Sequence, residues 1–151
     1  MKNVVVFIAT LLLTGKALAF DCYFTVAKDN CWSNYQITAS VSDAQSHQTL
    51  TSLTVPQGQS YGRQLFNCQP GQTLMFTASF SPAIWEGENN KQYNGEQFWV
   101  LPAKINAKQS AWEVPVCFSK DFADVPYPQG ATSNCACDFK SIPAIPPKVI
   151  P

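Results

Sequence analysis

The chain has 151 residues, 46% hydrophobic and 13% aromatic, with ten basic side chains balancing ten acidic ones. That length suits one domain with at most a tail, since domains commonly run to about 100–150 residues. A balance this even, with Arg63 as the only arginine, argues against nucleic acid or an anionic membrane as partner, because both call for clustered Lys and Arg.

The N-terminus reads as a cleavable secretory signal. Met1-Lys2-Asn3 is short and basic, Val4 to Leu13 is apolar apart from Thr10, and Ala17-Leu18-Ala19 supplies a small-x-small pattern before the cut. The apolar run is too short to span a bilayer. Cleavage after Ala19 would leave residues 20–151, with eight basic and ten acidic side chains and a net charge of −2. No second apolar run of about twenty residues follows, so no transmembrane segment is expected after cleavage. Phe20 and Asp21 precede the first cysteine, Cys22, so a lipid anchor on a mature N-terminal cysteine is not expected. No Asn-x-Ser/Thr sequon occurs, which fits a bacterial exported protein.

Seven short strands are expected in chain order. Cys22 to Ala27 is the first. Tyr35, Ile37, Ala39 and Val41 alternate with Gln36, Thr38 and Ser40, the period-two pattern of a half-buried strand. Thr49 to Val55 and Ser60 to Phe66 follow, and then Leu74, Phe76, Ala78 and Phe80 alternate with Thr73, Met75, Thr77 and Ser79. Gln97 to Leu101 and Ala111 to Phe118 complete the set. Turn signals separate them at Asp29-Asn30, Pro56-Gln57-Gly58, Pro70-Gly71 and Asn94-Gly95. Only Ser119 to Ala123 could form a helical turn. The expected fold is all-β, a disulfide-stapled antiparallel sandwich of the immunoglobulin-like kind with an irregular Pro-rich C-terminal segment.

Two segments break the strand rhythm. Pro82 to Asn94 is a long connection carrying Ile84, Trp85 and Tyr93, and loops of that length are commonly functional or mobile. Residues 119–151 hold six of the eleven prolines. Proline fixes φ and removes a ladder donor, so ordinary sheet is ruled out there. Residues 141–151 are expected to leave the domain as an extended tail. The organisation expected is a signal peptide at 1–19, a sandwich domain at 20–140 and a Pro-rich tail at 141–151.

Cys22, Cys31, Cys68, Cys117, Cys135 and Cys137 all lie beyond the signal. An even count in an exported domain points to three disulfides. A bridge between Cys135 and Cys137 would strain disulfide geometry across a single residue. Each is expected to reach a different upstream cysteine and pin the C-terminal segment to the sheet. Sequence leaves the rest of the fifteen pairings open. A redox-active Cys-x-Cys lacks a thioredoxin-like context, and zinc lacks its paired ligands. No cofactor and no metal are expected.

Catalytic constellations are weak. His47 sits in a polar hairpin tip beside Asp43 and Ser46 without any nucleophile elbow, and reads as an exposed loop histidine. Glu86, Glu88 and Glu96 lie near Trp85, Tyr93 and Trp99, the ingredients of a glycosidase, but Glu86 and Glu88 share a loop with Gly87, Asn89 and Asn90. Their oxygens match no EF-type calcium loop. Trp32 and Trp112 read as structural. Trp85, Tyr93 and Trp99 form the candidate binding surface, for a protein partner or a carbohydrate.

The run Phe20-Asp21-Cys22-Tyr23-Phe24-Thr25-Val26-Ala27-Lys28-Asp29-Asn30-Cys31-Trp32, with Asn67-Cys68-Gln69-Pro70-Gly71-Gln72 and Cys135-Ala136-Cys137-Asp138-Phe139, resembles small cysteine-rich periplasmic proteins of legionella-type intracellular bacteria. The resemblance implies a periplasmic or secreted protein without catalytic residues. Some such proteins are accessory subunits of type IV secretion assemblies in the outer membrane, and others are substrates of type II secretion. The expectation is therefore a non-enzymatic binding or structural module with an envelope-protein partner, and as alternatives a carbohydrate-binding module or, third, a secreted hydrolase. Intact-mass measurement of the exported protein should give a chain starting at Phe20, and alkylation before reduction should label no thiol. A product retaining Met1 to Ala19, or two labelled cysteines, contradicts this.

Overall fold

The computed structural model describes residues 18–150; the expected signal sequence up to Lys16-Ala17 lies outside the described residues. Eight strands are present: β1 Phe20–Lys28, β2 Gln36–Asp43, β3 Thr49–Val55, β4 Tyr61–Cys68, β5 Thr73–Ser81, β6 Tyr93–Asn94, β7 Trp99–Val100 and β8 Trp112–Phe118. They build two packed sheets. One has the order β4-β1-β8, and the other runs β3-β2-β5-β6 with β7 also paired to β5. The disulfide-stapled β-sandwich expected from the sequence is the fold observed.

β2 and β5 alternate buried and half-buried side chains, and their register sets Ile37 opposite Phe80, Ala39 opposite Ala78 and Val41 opposite Phe76. Across the sandwich Phe24 of β1 stacks on Phe76 at 5.8 Å between ring centres. One end of the core is aromatic. Trp32, 1% exposed, meets Tyr35 at 5.0 Å, Phe80 at 4.7 Å and Phe118 at 4.9 Å. A 3₁₀ turn at Asn30–Trp32 aims that ring inward. Its cap is Asp29, whose Oδ1 accepts from the Cys31 N–H at 2.9 Å and whose own N–H donates to the Phe118 carbonyl at 2.8 Å. Ser119 to Ala123 forms a hydrogen-bonded turn, the Phe122 N–H donating to the Ser119 carbonyl at 3.0 Å, but no helix, and Phe122 also bridges to Gly95.

The sandwich is not purely antiparallel. β1 pairs antiparallel with β4 but parallel with β8. The parallel pair closes the sheet around β1, which is buried on both faces through its second half. β8 is then an edge strand, and Pro115 sits on its open side. Cys117 gives its N–H to Asp121 Oδ2 at 2.6 Å and accepts from the Asp121 N–H at 2.9 Å, so this residue points away from β1. Pro115, two residues upstream, shares that orientation, and its missing N–H costs no ladder bond.

The outer face of the three-stranded sheet carries a polar cluster. Thr25, 1% exposed, donates its hydroxyl to Glu113 Oε1 and accepts from Arg63 Nε at 3.0 Å. Arg63 Nη2 pairs with Glu113 Oε2 at 3.0 Å, and Nη1 donates to the Pro143 carbonyl at 2.8 Å. The segment expected to leave the domain thus stays against the sheet. Ser110 donates to the Pro146 carbonyl, and the Lys148 N–H donates to the Lys108 carbonyl at 3.2 Å.

The disulfides join Cys22 to Cys68, Cys31 to Cys135 and Cys117 to Cys137. The first is buried between β1 and β4; the other two anchor the C-terminal segment at adjacent points, as expected of Cys135 and Cys137. Sequence separations are 46, 104 and 20, each worth roughly 3–5 kcal/mol in the chain-entropy model. The loops overlap, so these contributions do not add.

Lys28 is 3% exposed and forms no ion pair among the described residues. Its ammonium donates to the carbonyls of Tyr35 at 2.7 Å, Pro56 at 2.8 Å and Ser33 at 3.5 Å, tying the β1–β2 and β3–β4 connections together. Burial lowers its pKa. On the same side of the molecule, a Cβ on Gly62 of β4 would come within 3.0 Å of Leu53 Cδ1 and 3.2 Å of Val55 Cγ2 of β3. Gly62→Val should therefore destabilise the protein by about 1–3 kcal/mol through overpacking, measured by chemical denaturation, with Gly62→Ala costing less.

At the β2–β3 tip, Asp43 Oδ1 accepts from the N–H groups of Ser46 at 2.6 Å and Gln45 at 3.0 Å, and Oδ2 accepts from Gln72 Nε2 at 2.9 Å. The Ser46 N–H, then Gln72, hold its pKa down to about 2 from 3.8, against a small opposing effect of burial. A folded pKa below the unfolded one gives stability that is present above pH ~4 and lost as pH falls toward 2. Asp43→Asn should remove that acid-side slope, an effect of no more than about 1 kcal/mol at so open a site, read from denaturation curves between pH 2 and 6.

Candidate functional site

The three aromatic residues expected to form one surface do not act together. Trp85 is 49% exposed on the connection after β5, and Trp99 is 37% exposed on β7. Tyr93 is buried. Its ring stacks on Phe80 with centres 5.6 Å apart, and its pairing with Ala78 in β6 directs the side chain into the core. No sugar could stack on it. Burial raises its pKa, with the Glu88 carboxylate adding to the effect and Lys91 opposing it. Lys91 Nζ lies 5.2 Å from the Tyr93 ring centre and 3.3 Å from Glu88 Oε1, so this part of the connection braces the core.

The carboxylates are dispersed as well. Glu88 is held by Lys91, Glu86 is exposed, and Glu96 lines a polar cleft with Asp29, Asp124 and Lys120 that neither of the others lines. His47 stands at the β2–β3 tip with φ 60°, exposed, while Asp43 is turned onto backbone N–H groups and Ser46 Oγ accepts from the Gln48 N–H. Asp29, Cys31 and Cys135 bring three ligand-type atoms within 4.8 Å. The two sulfurs are joined in a disulfide, so no thiolate is offered to a metal.

Two features escaped the sequence reading. Phe98 and Val100 are each 67% exposed, flanking Trp99, so three consecutive apolar side chains are open to solvent on the two-residue strand β7 and the residue before it. A run of apolar residues where a half-buried strand would alternate was the available signal. Beside β7 a groove of about 790 Å³ opens between β8 and the C-terminal segment. Trp99, Val100 and Trp112 line one side; Phe139, Ile142 and Ile145 line the other. Its floor is the Thr25–Arg63–Glu113 cluster. This groove depends on the C-terminal segment staying on the sheet, which the proline content alone did not disclose.

The β7 run and the groove are contiguous, since Trp99 and Val100 belong to both. Together they form an apolar concavity with an exposed aromatic rim, the kind of place where ligands bind. Among the described residues no helix is long and apolar enough to cross a membrane. No family model, curated protein or solved structure matches the chain.

Proposed function

We propose that the chain is a non-enzymatic binding module, exported to the periplasm or beyond, that docks onto another envelope protein as an accessory subunit of a secretion complex. The exposure of Phe98, Trp99 and Val100 carries this reading. A short strand with both faces apolar and open suits strand addition by a partner, with backbone bonds giving affinity and side chains specificity. The carboxylates support it from the other side. Glu113 is tied to Arg63, Glu88 to Lys91, Asp43 to its turn and Asp121 to the end of β8, so these groups serve the scaffold.

Carbohydrate binding is the second reading, favoured by the partial exposure of Trp85 and Trp99. It would use those two rings without Tyr93. Tagged protein carrying Val100→Asp or Trp99→Ala should lose a partner captured by the wild type from envelope extract. The expected loss is about 2 kcal/mol or more for a central anchor, with the melting temperature nearly unchanged. Retention of wild-type protein on a glycan column, lost in Trp85→Ala, would replace the protein partner with sugar. Capture unaffected by either β7 substitution sinks the β7 assignment.

A further inference from the structure

We infer that the groove between β8 and the C-terminal segment binds one single-chain anionic amphiphile, its acyl chain lying on the apolar walls and its headgroup against Lys108, the lysine that lines the groove. The inference goes beyond the protein-docking reading, which uses the open edge of β7. The volume of about 790 Å³ and an apolar lining with few polar groups are those of a small-ligand site. The walls are stiff. Pro143, Pro146 and Pro147 form one side, with φ fixed at each, and the Pro143 and Pro146 carbonyls are tied down by Arg63 and Ser110. Two disulfides hold the same segment upstream.

Charge decides the headgroup. The even balance of the whole chain conceals a local excess. Residues 97–112 and 139–151 contain no Asp or Glu, yet they carry Lys104, Lys108, Lys140 and Lys148. The fold brings these two stretches together: Lys108 lines the groove, and Lys148 follows the lining residue Pro147 with its N–H bonded to the Lys108 carbonyl. Among the described residues Glu113 is the only carboxylate on the groove wall, and Arg63 neutralises it. An apolar trough with a cationic rim attracts a molecule that is apolar along its length and negative at one end.

Titration of the mature, oxidised protein with sodium oleate, followed by Trp fluorescence from Trp99 and Trp112 and by calorimetry, tests the assignment. Saturable one-to-one binding is expected, weakened by added salt. The double variant Lys108→Glu/Lys148→Glu should weaken it at least tenfold. Lys91→Glu/Lys120→Glu, elsewhere on the surface, should leave it unchanged. Ile145→Asp should abolish it while the melting curve stays cooperative. The assignment is overturned if oleate does not bind, if decanol binds equally well, or if the Lys108/Lys148 variant binds normally. Sedimentation with phosphatidylglycerol vesicles in the absence of oleate binding also overturns it, in favour of a bilayer surface. Trp99 and Val100 belong to both surfaces, so the readings are separated outside β7: Lys108→Glu/Lys148→Glu should lose oleate and keep partner capture.

Discussion

The burial of β1 on both faces organises this molecule. Many sheets leave one face in water, but the second half of β1 is covered on both, and the two covers are chemically unlike. On the inner side Phe24 and Val26 meet the opposite sheet in an ordinary apolar core. On the outer side Thr25 is sealed beneath a threonine–arginine–glutamate cluster, and the C-terminal segment lies over it. Burying Thr25 is tolerable because its hydroxyl is satisfied at both ends, as a buried polar group requires. The disulfides of Cys135 and Cys137 matter for the same reason. They hold a cover in place that has few buried side chains of its own.

The β-strand skeleton was legible because β2 and β5 each have one wet face. Ile37, Ala39 and Val41, like Leu74, Phe76, Ala78 and Phe80, announce an inward side by alternation. β1 is less transparent, since an all-buried strand does not alternate. The parallel alignment of β1 with β8 joins residues about ninety positions apart, and no local pattern encodes it. Tyr93 illustrates the limit for functional residues. In sequence it is one more aromatic in a polar loop beside Trp85, and only its pairing with Ala78 turns it inward. The pairing choice for Cys135 and Cys137 was legible in part, from steric reasoning on a one-residue spacer; which partner each takes depends on where the 3₁₀ turn and β8 end.

Net charge proved a poor guide to local chemistry. Of the basic side chains beyond the expected signal, Lys28 is enclosed by carbonyls and Arg63 is matched by Glu113. Lys91 is matched by Glu88. Of the other five, Lys104, Lys108, Lys140 and Lys148 fall in stretches that contain no acid, while Lys120 sits beside Asp121. Averages over a chain lose this distinction between charges that hold the scaffold and charges that face outward.

The pattern of disulfides also has a consequence for how the protein is made. Were the chain threaded into an oxidising compartment from its N-terminus, as the proposed export implies, Cys22 and Cys31 would emerge first, and neither is the other's partner. Cys31 must wait for Cys135, with Cys68 and Cys117 passing in between. Bonds formed in order of arrival would therefore be wrong at the first step. Maturation along that route would call for a catalyst that reshuffles disulfides, beyond one that merely forms them, and a cell with strong oxidase but weak isomerase activity would accumulate mispaired chains.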